Sequence, residues 1–177
     1  MKKNGLIGEN KKFASEQELD EFLKDCIKDY KNQKGFWGVQ LMDEPFHPLL
    51  DAIGELFKAF RRIDDKIFVH CNLNPLILPT LAFRICPEGK NLRDRYEKYL
   101  TMFVEKTGAK YIMVDVYPYV KSPTKNNIGR YYFGCLEVIA NTCKKLNVEM
   151  HMVMQSFAMN VGKNPHHMMP NKTVFEY

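Results

Sequence analysis

No stretch of this 177-residue chain approaches the roughly 18 consecutive apolar residues that a membrane-spanning helix needs. The start, Met1-Lys2-Lys3-Asn4-Gly5, has no apolar run of the kind a secretory signal carries, so a soluble chain with neither anchor nor leader is expected. Cysteine is sparse and unpaired in pattern. Cys26, Cys71, Cys86, Cys135 and Cys143 are odd in number and include no Cys-x-x-Cys, which argues against a disulfide framework and against a zinc site, and for reduced thiols in the core. Charge of one sign is not concentrated either. The formal +5 is spread through helical stretches and accompanies no RNA or DNA module signature, so no nucleic-acid partner is expected. There is no sequence repeat, linker or low-complexity tract. With 45% hydrophobic and 27% charged residues the composition is that of an ordinary globular protein, read as one domain over 1–177 with a poorly ordered start over 1–14.

Hydrophobic periodicity then supplies the elements. Ser15 with Glu18 three positions on forms a capping box ahead of Leu19, Phe22, Leu23, Cys26, Ile27 and Tyr30. A second amphipathic helix follows Pro48, and a third runs from Leu92 to Val104 with Gly108 at its end. A fourth extends from about Arg130 to Leu146. Between them lie four runs that read as strands: Phe36 to Asp43, Lys66 to Asn72, Lys110 to Tyr117, and Val148 to Gln155. Strand alternating with helix is the pattern of parallel βαβ units.

Within the strands one parity is apolar: Trp37, Val39 and Leu41; Ile67, Val69 and Cys71; Ile112, Val114 and Val116; Met150, Met152 and Met154. The other carries Gln40 and Glu44, His70 and Asn72, Asp115 and Tyr117, and His151 and Gln155. A sheet covered by helices on both faces would be apolar at both parities, whereas a barrel has one face under its helices and one in a lumen that turns polar at its mouth. The expected fold class is therefore α/β, an incomplete TIM barrel of parallel (β/α) units with about four strands and four to five helices. Half a barrel leaves open edges, so a missing segment or a second chain is expected to complete it.

Leu41-Met42-Asp43-Glu44-Pro45 places two adjacent carboxylates at the end of the first strand. Glu44 shares parity with Gln40 and is the first candidate catalytic group; Asp43, of opposite parity, suits helix capping or loop support and is carried with the substrate-binding set. Asp115 in Val114-Asp115-Val116-Tyr117-Pro118 repeats the design of strand, carboxylate and proline-stiffened exit. Two such carboxylates suit acid/base work, one protonated and one ionised. Asn72 and Gln155 offer amides that both donate and accept, and Tyr117, Tyr119 and Phe157 offer rings for stacking on a sugar. Trp37 reads as core. His70 and His151 read as core histidines, and His166-His167, between Pro165 and Pro170, as a solvated turn. No cofactor is expected. A metal-dependent hydrolase built from Glu44, Asp115, His70 and His151 is the rival enzyme reading.

The segment Gly35-Phe36-Trp37-Gly38-Val39-Gln40-Leu41-Met42-Asp43-Glu44-Pro45 resembles the G-Y-x-L-x-D-E-P stretch of TIM-barrel glycoside hydrolases akin to clan A, known from gut Bacteroidetes. The resemblance continues through Cys71-Asn72-Leu73-Asn74-Pro75, Asp115-Val116-Tyr117-Pro118 and Met154-Gln155-Ser156-Phe157 to the stretch from Pro170 to Glu176. It implies strands four to seven of a barrel, a carbohydrate substrate, and Glu44 as general acid/base, in a family that is often exported. Asp43 stands where the clan has Asn, and Gln155 where it has the nucleophilic glutamate, so Asp115 is only a substitute partner. The non-enzymatic alternative is a carbohydrate-binding or scaffold remnant of such a barrel.

Overall fold

The computed structural model describes residues 13–76, 85–117 and 132–154. Helix α1 spans Glu16–Ile27, strand β1 Gly38–Asp43, helix α2 Leu50–Ile63 after a 3-10 turn at His47–Leu49, strand β2 Phe68–Asn72, helix α3 Leu92–Thr107, strand β3 Tyr111–Asp115, helix α4 Phe133–Leu146 and strand β4 Glu149–Val153.

Local chemistry accounts for the helix ends. The Ser15 hydroxyl accepts from the Glu18 amide at 3.1 Å, and the Glu18 carboxylate reaches back to the Ala14 amide at 2.6 Å, so the capping box closes one residue earlier than its usual form. Asn91 caps α3 by accepting from the Asp94 amide at 3.0 Å. Gly108 ends α3 in the left-handed region, φ 62°, where a glycine has no Cβ penalty, and its amide bonds the Val104 carbonyl.

The helices form one layer in chain order, with α2 packed on α1 and α3, and α4 on α3. Leu19, Leu23 and Ile27 of α1, Ile53, Phe57 and Phe60 of α2, Tyr96, Tyr99, Leu100 and Phe103 of α3, and Val138 and Ile139 of α4 are buried with Val69, Cys71, Leu73, Ile112 and Val114 of the strand segments. Phe57 meets Phe103 edge to face at 5.8 Å. Four of the five thiols are buried as expected, and burial pushes Cys71 and Cys86 up to about 12; Cys26 is exposed.

Among the described residues all strand pairing is parallel. β1 pairs with β2 and β3 with β4, in two sheets of two strands. A single bridge between Leu73 and Val114, with the Leu73 amide donating to the Met113 carbonyl at 2.8 Å, connects β2 to β3. Among the described residues nothing returns from β4 to β1.

These observations overturn the incomplete TIM barrel. The described residues form an α/β arrangement of two two-stranded parallel sheets and four helices, and among them there is no barrel closure, complete or partial. The alternation that pointed to a lumen has a simpler cause: helices pack on one face, so only the strand parity beneath them must be apolar. The parity argument also fails locally. The β1/β2 register shifts between Gln40 and Met42, a bulge that realigns the strand so that Asp43, not Glu44, stands opposite Asn72. Trp37, expected in the core, is 75% exposed.

Candidate active site

The carboxyl ends of β1, β2 and β3 bring Asp43, Asn72 and Asp115 together. The Asn72 side-chain amide donates to Asp43 at 2.9 Å. Glu44 leaves the strand in the left-handed region, φ 47°, with its own amide held by the Asn72 carbonyl at 2.8 Å. A non-glycine residue rarely adopts that backbone, and the cost of about 1–3 kcal/mol persists only where surrounding contacts over-determine it.

Those contacts come from α3 and the exit of β2. The Pro45 carbonyl accepts from the Tyr99 hydroxyl at 2.6 Å and from the Asn74 side-chain amide at 2.9 Å. Tyr96 in turn donates to the Asn74 carbonyl at 2.9 Å. Both tyrosines are fully buried, so the residue that follows Glu44 is fixed to the middle of the helix layer. Sequence reasoning missed this clamp. In the sequence Tyr96 and Tyr99 are only members of the stripe of the Leu92–Val104 helix, although a buried tyrosine hydroxyl needs a partner and Asn74 precedes a proline at a strand exit.

Electrostatically the site is a like-charge cluster. Burial raises the Asp115 carboxyl, and repulsion from Asp43 adds to it, against the hydrogen bonds of Tyr117 and Asn72, which pull it down; the net shift is upward. Asp115 is 4% exposed and Asn72 6%, and Asp115 Oδ1 and Asn72 Oδ1 have no hydrogen-bond partner among the described residues. Glu44 is raised as well, by desolvation first and then by Asp115 and Asp43, although solvent reaches its side chain. Tyr117, desolvated and bonded to Asp115, is pushed up to about 12, so it remains a hydroxyl donor at neutral pH.

Of the expected site residues, the structure thus gathers Glu44, Asp115, Asp43, Asn72 and Tyr117. Tyr119, Gln155 and Phe157, and the turn at His166-His167, lie outside the described residues. The metal-dependent alternative is overturned: among the described residues no group of three or more His, Cys, Asp or Glu side chains is arranged to hold an ion. His70 stands one layer deeper, with both ring nitrogens buried and without a partner among the described residues. Burial and the neighbouring His151 keep its imidazole below the ordinary value, in the neutral form at neutral pH. His151 faces the Glu149 carboxylate at 2.9 Å instead.

The glycosidase reading falls with the barrel, and so does its carbohydrate-binding remnant. The ring cluster that the described residues do contain, Trp37, Phe68, Tyr111 and His151, lies toward the amino ends of the parallel strands, opposite the carboxylates. Comparisons with protein-family models, with curated proteins and with solved structures found no match, so the glycoside hydrolase resemblance has no support beyond its short motifs.

Proposed function

We propose that the carboxyl ends of β1 to β3 form an acid–base site that moves a proton on a small substrate bearing a cationic or amine group. Glu44 is the group that takes and returns the proton. Desolvation first, and then the charge of Asp115, buried beside it and bonded by Tyr117, hold the Glu44 proton more tightly than water would. Asp43 and Asn72 fix the floor of the site through their hydrogen bond. A cation entering between these carboxylates relieves their repulsion, which favours an amine over an anionic substrate.

The observation that carries this reading is the left-handed Glu44 backbone, φ 47°, held by contacts on both sides. That strain is held from α3 through Pro45 and sets one carboxyl beside another that is buried and incompletely bonded.

Carbodiimide labelling tests it, because the reagent activates the protonated carboxyl. At about pH 6, where ordinary carboxylates are ionised, Glu44 is expected to label several-fold faster than the exposed Glu88 and Glu105, and tetramethylammonium is expected to slow Glu44 alone. Labelling of Glu44 at the rate of Glu88, or without protection by the cation, overturns the proposal.

A further inference from the structure

At the amino ends of the strands lies a second site that the carboxylates do not touch. Trp37, the only tryptophan of the chain, stacks on Phe68 with ring centroids 4.6 Å apart and planes 13° from parallel. Phe68 meets Tyr111 at 5.1 Å, and Tyr111 lies against the His151 ring at 5.1 Å and 10°. One side of the Trp37 ring is occupied by Phe68; with three-quarters of the residue exposed, its other side is open to solvent.

A cavity of about 680 Å³ adjoins this wall, within the usual range for a small-molecule site. Arg61, Lys66 and Lys110 line it, against Asp65 and Glu149. Glu149 is engaged by His151, and Arg61 by the Thr107 carbonyl at 2.6 Å. Lys66 and Lys110 form no ion pair among the described residues. A large planar ring held in a stack yet left in water is costly unless something covers it, and unpaired ammonium groups beside it favour an anion.

We propose that the Trp37 ring and the cavity it borders together bind a mononucleotide, its base stacked on the open face of Trp37 and its phosphate met by Lys66 and Lys110. Stacking on an aromatic side chain accepts any base, because every base has a π face, and the lysines act as point charges for phosphate. The site stands apart from the acid–base reading, at the opposite ends of the same strands.

Trp37 reports on its own site, since no other tryptophan contributes. Titration of the full chain with AMP, corrected for inner-filter absorption, is expected to quench Trp37 saturably, with weaker binding of adenosine and no response to inorganic phosphate alone. The Lys66→Ala/Lys110→Ala variant, both positions being exposed, is expected to bind AMP roughly tenfold more weakly, as loss of charge-assisted contacts implies. Calorimetry of Trp37→Ala, with folding checked by circular dichroism, is expected to lose the AMP heat. The proposal is overturned by an absent or unsaturable AMP response, by equal affinity for benzoate, or by AMP binding that survives the double lysine substitution. A short single-stranded oligonucleotide binding more than tenfold more tightly than AMP would replace it with a strand-binding surface.

Discussion

The Tyr99 hydroxyl donates to the Pro45 carbonyl at 2.6 Å, tying the middle of α3 to the residue that follows Glu44. This one bond links the helix layer to the strained exit of β1, so the geometry of the site depends on a residue that contacts no substrate. Tyr99→Phe keeps the ring and removes the donor, leaving the Pro45 carbonyl with Asn74 alone. The expected cost is about 1–3 kcal/mol, from the lost bond to Pro45 and from the buried Asn74 backbone amide, which loses the hydroxyl oxygen that accepts from it at 3.4 Å, measured by urea denaturation. The carbodiimide reactivity of Glu44 should fall with it. Unchanged reactivity at reduced stability would separate the clamp from the site.

The left-handed backbone at Glu44 gives a second expectation. Glycine takes that conformation without a Cβ penalty, whereas alanine retains the strain. Glu44→Gly should therefore be more stable than Glu44→Ala by about 1 kcal/mol, the cost of the left-handed region for an L-residue less the greater chain entropy of glycine. A reversed order in equilibrium unfolding would show that the strain is not borne at this residue.

The pH dependence follows from the upward shifts of Asp115 and Glu44. Their folded values lie above the reference 3.8 and 4.5, so between those values and the raised ones the folded chain holds more protons than the unfolded chain. Stability contributed by these two groups is present at low pH and is lost as pH rises through the folded values. Asp20, whose carboxylate takes a two-pronged hydrogen bond from Arg62 at 2.7 and 2.9 Å, is lowered and contributes in the opposite sense, losing its part as pH falls. Asp115→Asn should accordingly gain on the wild type as pH rises from 4 towards 7. A constant stability difference across that range would mean that Asp115 ionises as it does in the unfolded chain.

The elements were legible and their assembly was not. Ser15 and Gly108 announce helix ends through chemistry confined to a single turn, and the 3.6-residue stripes of α1 to α4 need only one buried face each. The strand alternation carried less information. It records that one face lies under helices, and both a barrel wall and an open sheet satisfy it, so Ile112 and Val114 could not distinguish them. The bulge between Gln40 and Met42 has no composition signal, yet it moves Asp43 into line with Asn72. Glu44 and Asp115 were found because paired carboxylates at strand ends are unusual in any α/β fold; Tyr99 was missed because a helical stripe does not say where a hydroxyl goes.

Gly54 connects that helix layer to a sharper test of independence. A Cβ built on Gly54 would stand 2.5 Å from the Lys106 carbonyl oxygen, a backbone atom with no rotamer to yield, on the seam where α2 packs against α3. Lys106 also reaches back to Asp51 at 2.6 Å across the same seam, but both groups are exposed and the pair contributes little. Gly54→Ala should thus cost about 1–3 kcal/mol through overpacking, partly offset by the better helix propensity of alanine. The clamp on Pro45 arises from Tyr99, two turns away from Lys106 along α3, so Glu44 labelling should stay at the wild-type rate where the variant is folded. Loss of stability with unchanged labelling would place the two effects on separate parts of α3. A parallel fall in both would mean that the α2–α3 spacing itself sets the Glu44 backbone.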